Sequence, residues 1–247
     1  MNKISIFKSE QLEERFDCGY SASRILAETC PDVELNLCTL KAGTEKTFAA
    51  YSAADKMQIF TFTGGNGVVQ AGKRIFIIDE QSVFIPDFDR DELKLAAGDE
   101  DLKFIHIVGP MNDTDRRQMN NCQYVLPRFV KFSQAIQYTE RFTQESGAKV
   151  KQHSIIAGRH LGRYTMGWVI GSGPDFVGQH VHPSLDQWYF MLEGADFTYD
   201  AGDKSVAVRE GDVSFTPYGT SHGSTCSEDG FINYLWFELN RAWDEIG

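Results

Sequence analysis

The stretch from Gly178 to Gly194 constrains this 247-residue chain more than any other. It places His180 and His182 two residues apart, follows them with Asp186 and Gln187, and closes an apolar run with Gly194. On a β-strand, residues i and i+2 point to one face, so the two imidazoles can aim at one point. A second stretch, Gly211 to His222, holds Pro217 and Gly219 at turn positions and ends on a third histidine. Three imidazoles and one side-chain oxygen make a first-row metal site. The oxygen is offered by Gln187 or by its neighbour Asp186.

These residues resemble the two signature motifs of the cupin family. The first motif has a His-x-His pair, an acidic residue four or five positions on, and a Gly seven residues after that. His180 and His182 match the pair, and Gln187 falls seven before Gly194. The second motif is matched by Gly211, Pro217, Gly219 and His222. Three positions depart from it. Cys226 stands at the family's closing Asn, Pro174 stands beside Gly173 at an expected Gly, and Gln187 replaces the usual Glu. The resemblance implies a metal ligand set of His180, His182, Gln187 and His222, with Asp186 as a hydrogen-bonding neighbour of that set. The bound ion would be divalent zinc, manganese, nickel or iron.

Composition narrows the class. A net charge of −11 argues against a nucleic-acid or anionic-membrane surface. No apolar run approaches the length of a membrane span, and the N-terminal residues lack a signal-peptide core. Five cysteines in no paired spacing fit a reduced, cytoplasmic setting, with Cys226 as a small core residue. Eighteen Phe and nine Tyr supply a β-rich core.

Along the chain, Ser9 to Phe16 suggests a short capped helix. Residues 34–110 read as short strands with glycine-marked turns. The polar run 112–121 reads as a loop, and 133–142 reads as a helix. Strands resume near residue 151. Gly64, Ala71-Gly72, Glu80 and Val83 recur 130 residues later as Gly194, Ala201-Gly202, Glu210 and Val213. The expected fold is therefore all-β, two tandem jelly-roll-like cupin barrels with a few short helices. Residues 1–110 would form a degenerate N-terminal barrel, 111–150 a linker with a short helix, and 151–247 the metal-binding barrel. At the same spacing, Ala50, Ser52, Met57 and Glu92 replace the three histidines and Gln187, so the first barrel cannot repeat the site.

Cupin functions are diverse, so fold does not settle reaction. A set of three His and one Gln is similar to that of small cupins that convert keto or unsaturated uronates. That implies isomerase or lyase chemistry in carbohydrate metabolism, on a small anionic sugar acid or keto acid. Asp186, Tyr189 or Glu238 would move the proton. Arg163, in the strand preceding the motif, would suit a substrate carboxylate. Two other readings remain open: a dioxygenase using a redox metal, and a non-catalytic sugar-binding or sensor bicupin. The resemblance also makes a homodimer plausible.

Overall fold

The structure is a computed structural model that describes residues 3–90 and 92–242. Strands dominate it, with two short α-helices, Asp113–Cys122 and Arg141–Ser146, and two 3-10 turns among the described residues. No helix among these residues is long and apolar enough to cross a membrane.

The chain divides into two compact units. Residues 12–134 form one; the N-terminal residues up to Gln11 join 135 onward in the other. These bounds differ from the 1–110, 111–150 and 151–247 division expected from sequence. Backbone pairing is the reason. Strand Ser5–Phe7 pairs antiparallel with Val213–Thr216, and Lys8 binds Asp212 at 2.8 Å, which ties the N-terminus to the C-terminal barrel. Strand Arg128–Lys131 pairs with Ser82–Ile85, and Ile136–Tyr138 pairs with Lys151–Leu161, so the presumed linker is shared between the barrels.

Two sheets build the N-terminal unit. The six-stranded sheet centres on Lys56–Gly64 and Leu102–Pro110; the four-stranded one contains Glu45–Phe48, Leu93–Ala97, Gly67–Ala71 and Arg74–Ile78. Their inner faces meet in an apolar cluster rich in Phe60, Phe62, Phe84 and Phe104. The C-terminal unit is an eleven-stranded sheet that branches and folds on itself, with strand Asp196–Ala201 bonding Lys204–Arg209, Ser221–Cys226 and Phe231–Asn240. The 130-residue repeat is visible in the strands: Arg74–Ile78 corresponds to Lys204–Arg209, and Leu102–Pro110 to Phe231–Asn240. The motif glycines Gly194 and Gly219 sit in turns at φ of +73° and +76°, a region that side chains with a Cβ rarely adopt.

Three local expectations differ. Ser9–Gln11 forms only a 3-10 turn, because Asp212 takes the Ser9 amide into the barrel edge. The polar run read as a loop is the helix Asp113–Cys122. Its start is closed by a capping box in which Asn112 accepts from the Asp115 amide and Asp115 accepts from the Asn112 amide. The segment expected as a helix over 133–142 instead contains strand Ile136–Tyr138, whose pairing with 151–161 overrides its helical period.

Candidate metal centre

The C-terminal barrel brings the three motif histidines together. His180 and His222 pair across strands Asp175–Val181 and Ser221–Cys226, just past a register shift between Val177 and His180. The ring centroids of His180 lie 4.8 Å from His182 and 4.4 Å from His222. One ring nitrogen from each of the three lies within 4.8 Å of the others. Nδ1–H of His180 donates to the Gly178 carbonyl at 2.9 Å, and that of His222 to the Thr220 carbonyl at 3.1 Å. A carbonyl only accepts, so in the neutral ring the lone pair of each lies on Nε2. Burial pushes His182 down to about 4 and His222 down to about 3, helped by the neighbouring imidazoles. Both are neutral and able to ligate at neutral pH.

Gln187 lines the same cavity as His180 and His182. Strand Leu185–Met191 pairs with Phe231–Asn240, which sets Gln187 directly opposite Glu238. The Gln187 amide donates from Nε2 to Glu238 Oε1 at 2.8 Å. An ionised carboxylate takes only the NH₂ end of an amide, so in that form this bond turns Oε1 of Gln187 the other way. Thr165 Oγ1 donates to Glu238 Oε2 at 2.8 Å and holds the carboxylate in turn. Gln187 Oε1 and His222 Nε2 are both buried without a hydrogen-bond partner. Leaving such groups bare costs about 1–3 kcal/mol each. A cation answers both, and the residues present therefore fit a metal ion.

A cavity of about 190 Å³ opens beside this group. Its wall includes His180, His182, Gln187, Tyr189, Tyr234, Trp236 and Glu238. Of the two faces of strand Phe231–Asn240, the one carrying Tyr234, Trp236 and Glu238 looks inward. Trp236 packs against Gly167, where an added Cβ would clash with the indole. Glu238 is 8% exposed, and burial raises its carboxyl to about 7, with Glu140 adding to the rise. Tyr189 is fully buried and stacks on Tyr234 at 4.2 Å. Burial holds its phenol well above the ordinary value, so it acts as a donor.

The expected role of Asp186 does not survive. Its side chain faces away from the cavity, where Oδ1 accepts from the Tyr218 amide at 3.0 Å. Oδ2 takes Arg241 Nε at 2.8 Å and Nη2 at 2.7 Å. Strand alternation puts neighbours on opposite faces, so Asp186 and Gln187 cannot both look inward. Arg163, Tyr164, Met166 and Trp168 do not line the cavity either; Tyr164 stacks on Phe237 in the core. Sequence reasoning missed Tyr138, Glu140 and Gln152, which do line it. The alternation of aromatic and polar residues at 138 and 140 was their only signal.

No protein-family model matches the sequence, and no curated protein sequence matches it. Solved structures do. A glyoxylate-induced protein from Pseudomonas aeruginosa superposes at a TM-score of 0.75 with 10% identity, over 96% of this chain and 88% of that one. The oxalate decarboxylase of Lactobacillus farciminis gives 0.68 with 12% identity, over 96% and 86%. A cupin 2 conserved barrel domain protein from Leptotrichia buccalis gives 0.63 with 15% identity, over 96% of each chain. At these identities the likeness shows the fold: the all-β cupin barrel, twice in tandem.

Proposed function

We propose that this chain, a bicupin by its fold, is a metal-dependent enzyme that carries out isomerisation or elimination beside a carbonyl of a small hydroxylated substrate. The observation that carries the reading is the pair of buried lone pairs, Gln187 Oε1 and His222 Nε2, left bare beside the imidazole trio. His180, His182, His222 and the Gln187 carbonyl would hold a divalent zinc, manganese, nickel or iron ion. All four ligands are neutral, so the ion keeps its full charge and, when bound, supplies Lewis-acid polarisation of a carbonyl or hydroxyl oxygen.

The remaining work falls to the chain's own groups. Glu238 has a carboxyl poised near neutrality, which suits a group that takes a proton and returns it. It would remove a proton from the carbon or hydroxyl beside the carbonyl. It would then deliver that proton to the neighbouring carbon or to a departing oxygen. Tyr189 stays protonated and donates a hydrogen bond from the cavity wall. Thr165 and Gln187 hold Glu238 in place while it does so. The cavity is smaller than a drug-sized pocket, which restricts the substrate to a small molecule. Oxalate decarboxylases among the structural neighbours raise decarboxylation of a small acid as a second reading. The two carboxylates in the cavity wall count against it.

Deuterium exchange tests the proposal. Metal-loaded protein in heavy water should wash deuterium into the position beside the carbonyl of at least one compound in a panel of small hydroxy-aldehydes, hydroxy-ketones and their acids. Glu238→Gln should lose about a hundredfold or more of that rate with its metal retained. Exchange at the wild-type rate in metal-loaded Glu238→Gln contradicts the assignment.

A further inference from the structure

Strand Arg74–Ile78 ends the four-stranded sheet of the N-terminal unit. It pairs with Gly67–Ala71 on one side and with no strand among the described residues on the other. A two-residue turn, Gly72-Lys73, joins the pair, with Ala71 opposite Arg74. Such a turn closes on a hydrogen-bonded pair, so Arg74, Phe76 and Ile78 spend their backbone groups on Gly67–Ala71. Alternation turns the N–H and C=O of Ile75 and Ile77 to the open edge. Phe76 packs inward on Phe84 and Phe129, and Ile78 is buried. Ile75 and Ile77 stand outward, 65% and 62% exposed.

Sheets usually blunt an open edge with charge, proline or a bulge, because it invites another strand. Nothing of that kind interrupts Ile75-Phe76-Ile77-Ile78. The matching strand 130 residues on, Lys204–Arg209, shows the blunted form. Ser205 and Ala207 stand where Ile75 and Ile77 do, and Lys8 donates to the Ala207 carbonyl. The barrel itself therefore needs no large apolar side chain at these two places.

Flanking charges name the occupant. Lys73 precedes the strand and Asp79 follows it, both exposed and both in step with Ile75 and Ile77. Set antiparallel against a second copy about Phe76, Ile75 faces the partner's Ile77 and Lys73 faces the partner's Asp79. The two-fold axis makes each contact twice. Asp79 already meets Lys131 of its own chain, and its carboxylate has acceptor sites left for a second ammonium. A slip of two residues would set Ile75 against the partner's Asp79 or Lys73 against the partner's Ile77, so the sequence favours this register. We infer that the chain forms a two-fold dimer through Arg74–Ile78, which joins two four-stranded sheets into one. The contact is short, so its dissociation constant should fall in the micromolar range.

Sedimentation equilibrium of the full chain, from about 1 to about 100 µM, tests this. The wild type should pass from monomer to dimer across that range. Ile77→Lys should raise the dissociation constant about a hundredfold. Lys73→Glu, which meets the partner's Asp79 with a like charge, should raise it about tenfold. Ala207→Lys, at the matching place in the C-terminal barrel, should leave it unchanged. All three substitutions are on exposed side chains, and unchanged circular dichroism checks that the fold is kept. A wild type that stays monomeric overturns the inference and leaves the edge to a strand of a different protein. A dimer that either Ile77→Lys or Lys73→Glu leaves unchanged, or that Ala207→Lys weakens as much, overturns it as well.

Discussion

Each barrel buries a glutamine at the same place in its ladder, and the two have opposite fates. In the C-terminal barrel Gln187 faces Glu238; in the N-terminal barrel Gln58 faces Val108, 130 residues before Glu238. Gln58 is a closed circuit. Its Nε2 donates to the Ala49 carbonyl at 2.9 Å, and its Oε1 meets His106 Nε2 at 3.1 Å. His106 stacks on Phe60 at 4.4 Å, and burial pushes it down to about 4, so it is a neutral donor. Gln187 is an open one, with Nε2 spent on Glu238 and Oε1 unspent. The same amide in the same barrel thus serves packing where its carbonyl is answered from within. It would serve a ligand where the amide's other end is spent on a carboxylate and the carbonyl is left unanswered.

Saturating divalent metal should stabilise the wild type by about 3–4 kcal/mol at a hundred to a thousand times its dissociation constant. The His180→Ala/His182→Ala variant should gain nothing, as read by chemical denaturation with and without metal. An equal gain in the variant would move the ligands elsewhere.

Glu238 gives the next effect, in metal-free protein. Its carboxyl is raised from 4.5 to about 7 on folding. The unfolded chain therefore ionises first, and stability falls as pH rises from about 4.5 to 7, by about 3 kcal/mol, then stays flat. Glu238→Gln should remove that fall. The difference between the two proteins isolates it, because buried His106, His182 and His222 act in the other direction. They cost stability as pH drops below 6.5. Parallel pH profiles would contradict the burial of this carboxyl.

Asp186→Asn strips Arg241 of a buried carboxylate partner and should cost about 3 kcal/mol, with metal content unchanged. Loss of metal there would restore Asp186 as a ligand. His106→Leu orphans Gln58 Oε1 and should cost about 1–3 kcal/mol in denaturant. His222→Leu removes the already bare Nε2 and one bond to the half-buried Thr220 carbonyl, and should cost metal-free protein less. A larger cost at His222 would reverse the comparison.

What could be read from the residues follows from which of them answer to local spacing. That His180, His182 and His222 come together, with Gln187 on the same cavity, was legible because strand alternation and turn glycines leave those side chains few places to stand. The repeat was legible through its turns, yet a fixed offset named Met57 where the ladder puts Gln58, one residue out. Asp186 was misjudged because its partner Arg241 lies far along the chain. Tyr138 and Glu140 were hidden because strand Ile136–Tyr138 exists only through pairing with Lys151–Leu161. The helix Asp113–Cys122 carried its signal in Asn112 and Asp115, a capping pair without the apolar stripe that usually announces a helix.

One barrel would hold a metal where the other has closed the same position with Gln58 and His106. Elemental analysis of the untagged protein after metal loading and dialysis tests it directly, beside His222→Ala and His106→Leu. The account predicts about one ion per chain in the wild type and in His106→Leu, and none in His222→Ala. Metal retained in His222→Ala, or lost in His106→Leu, would contradict it.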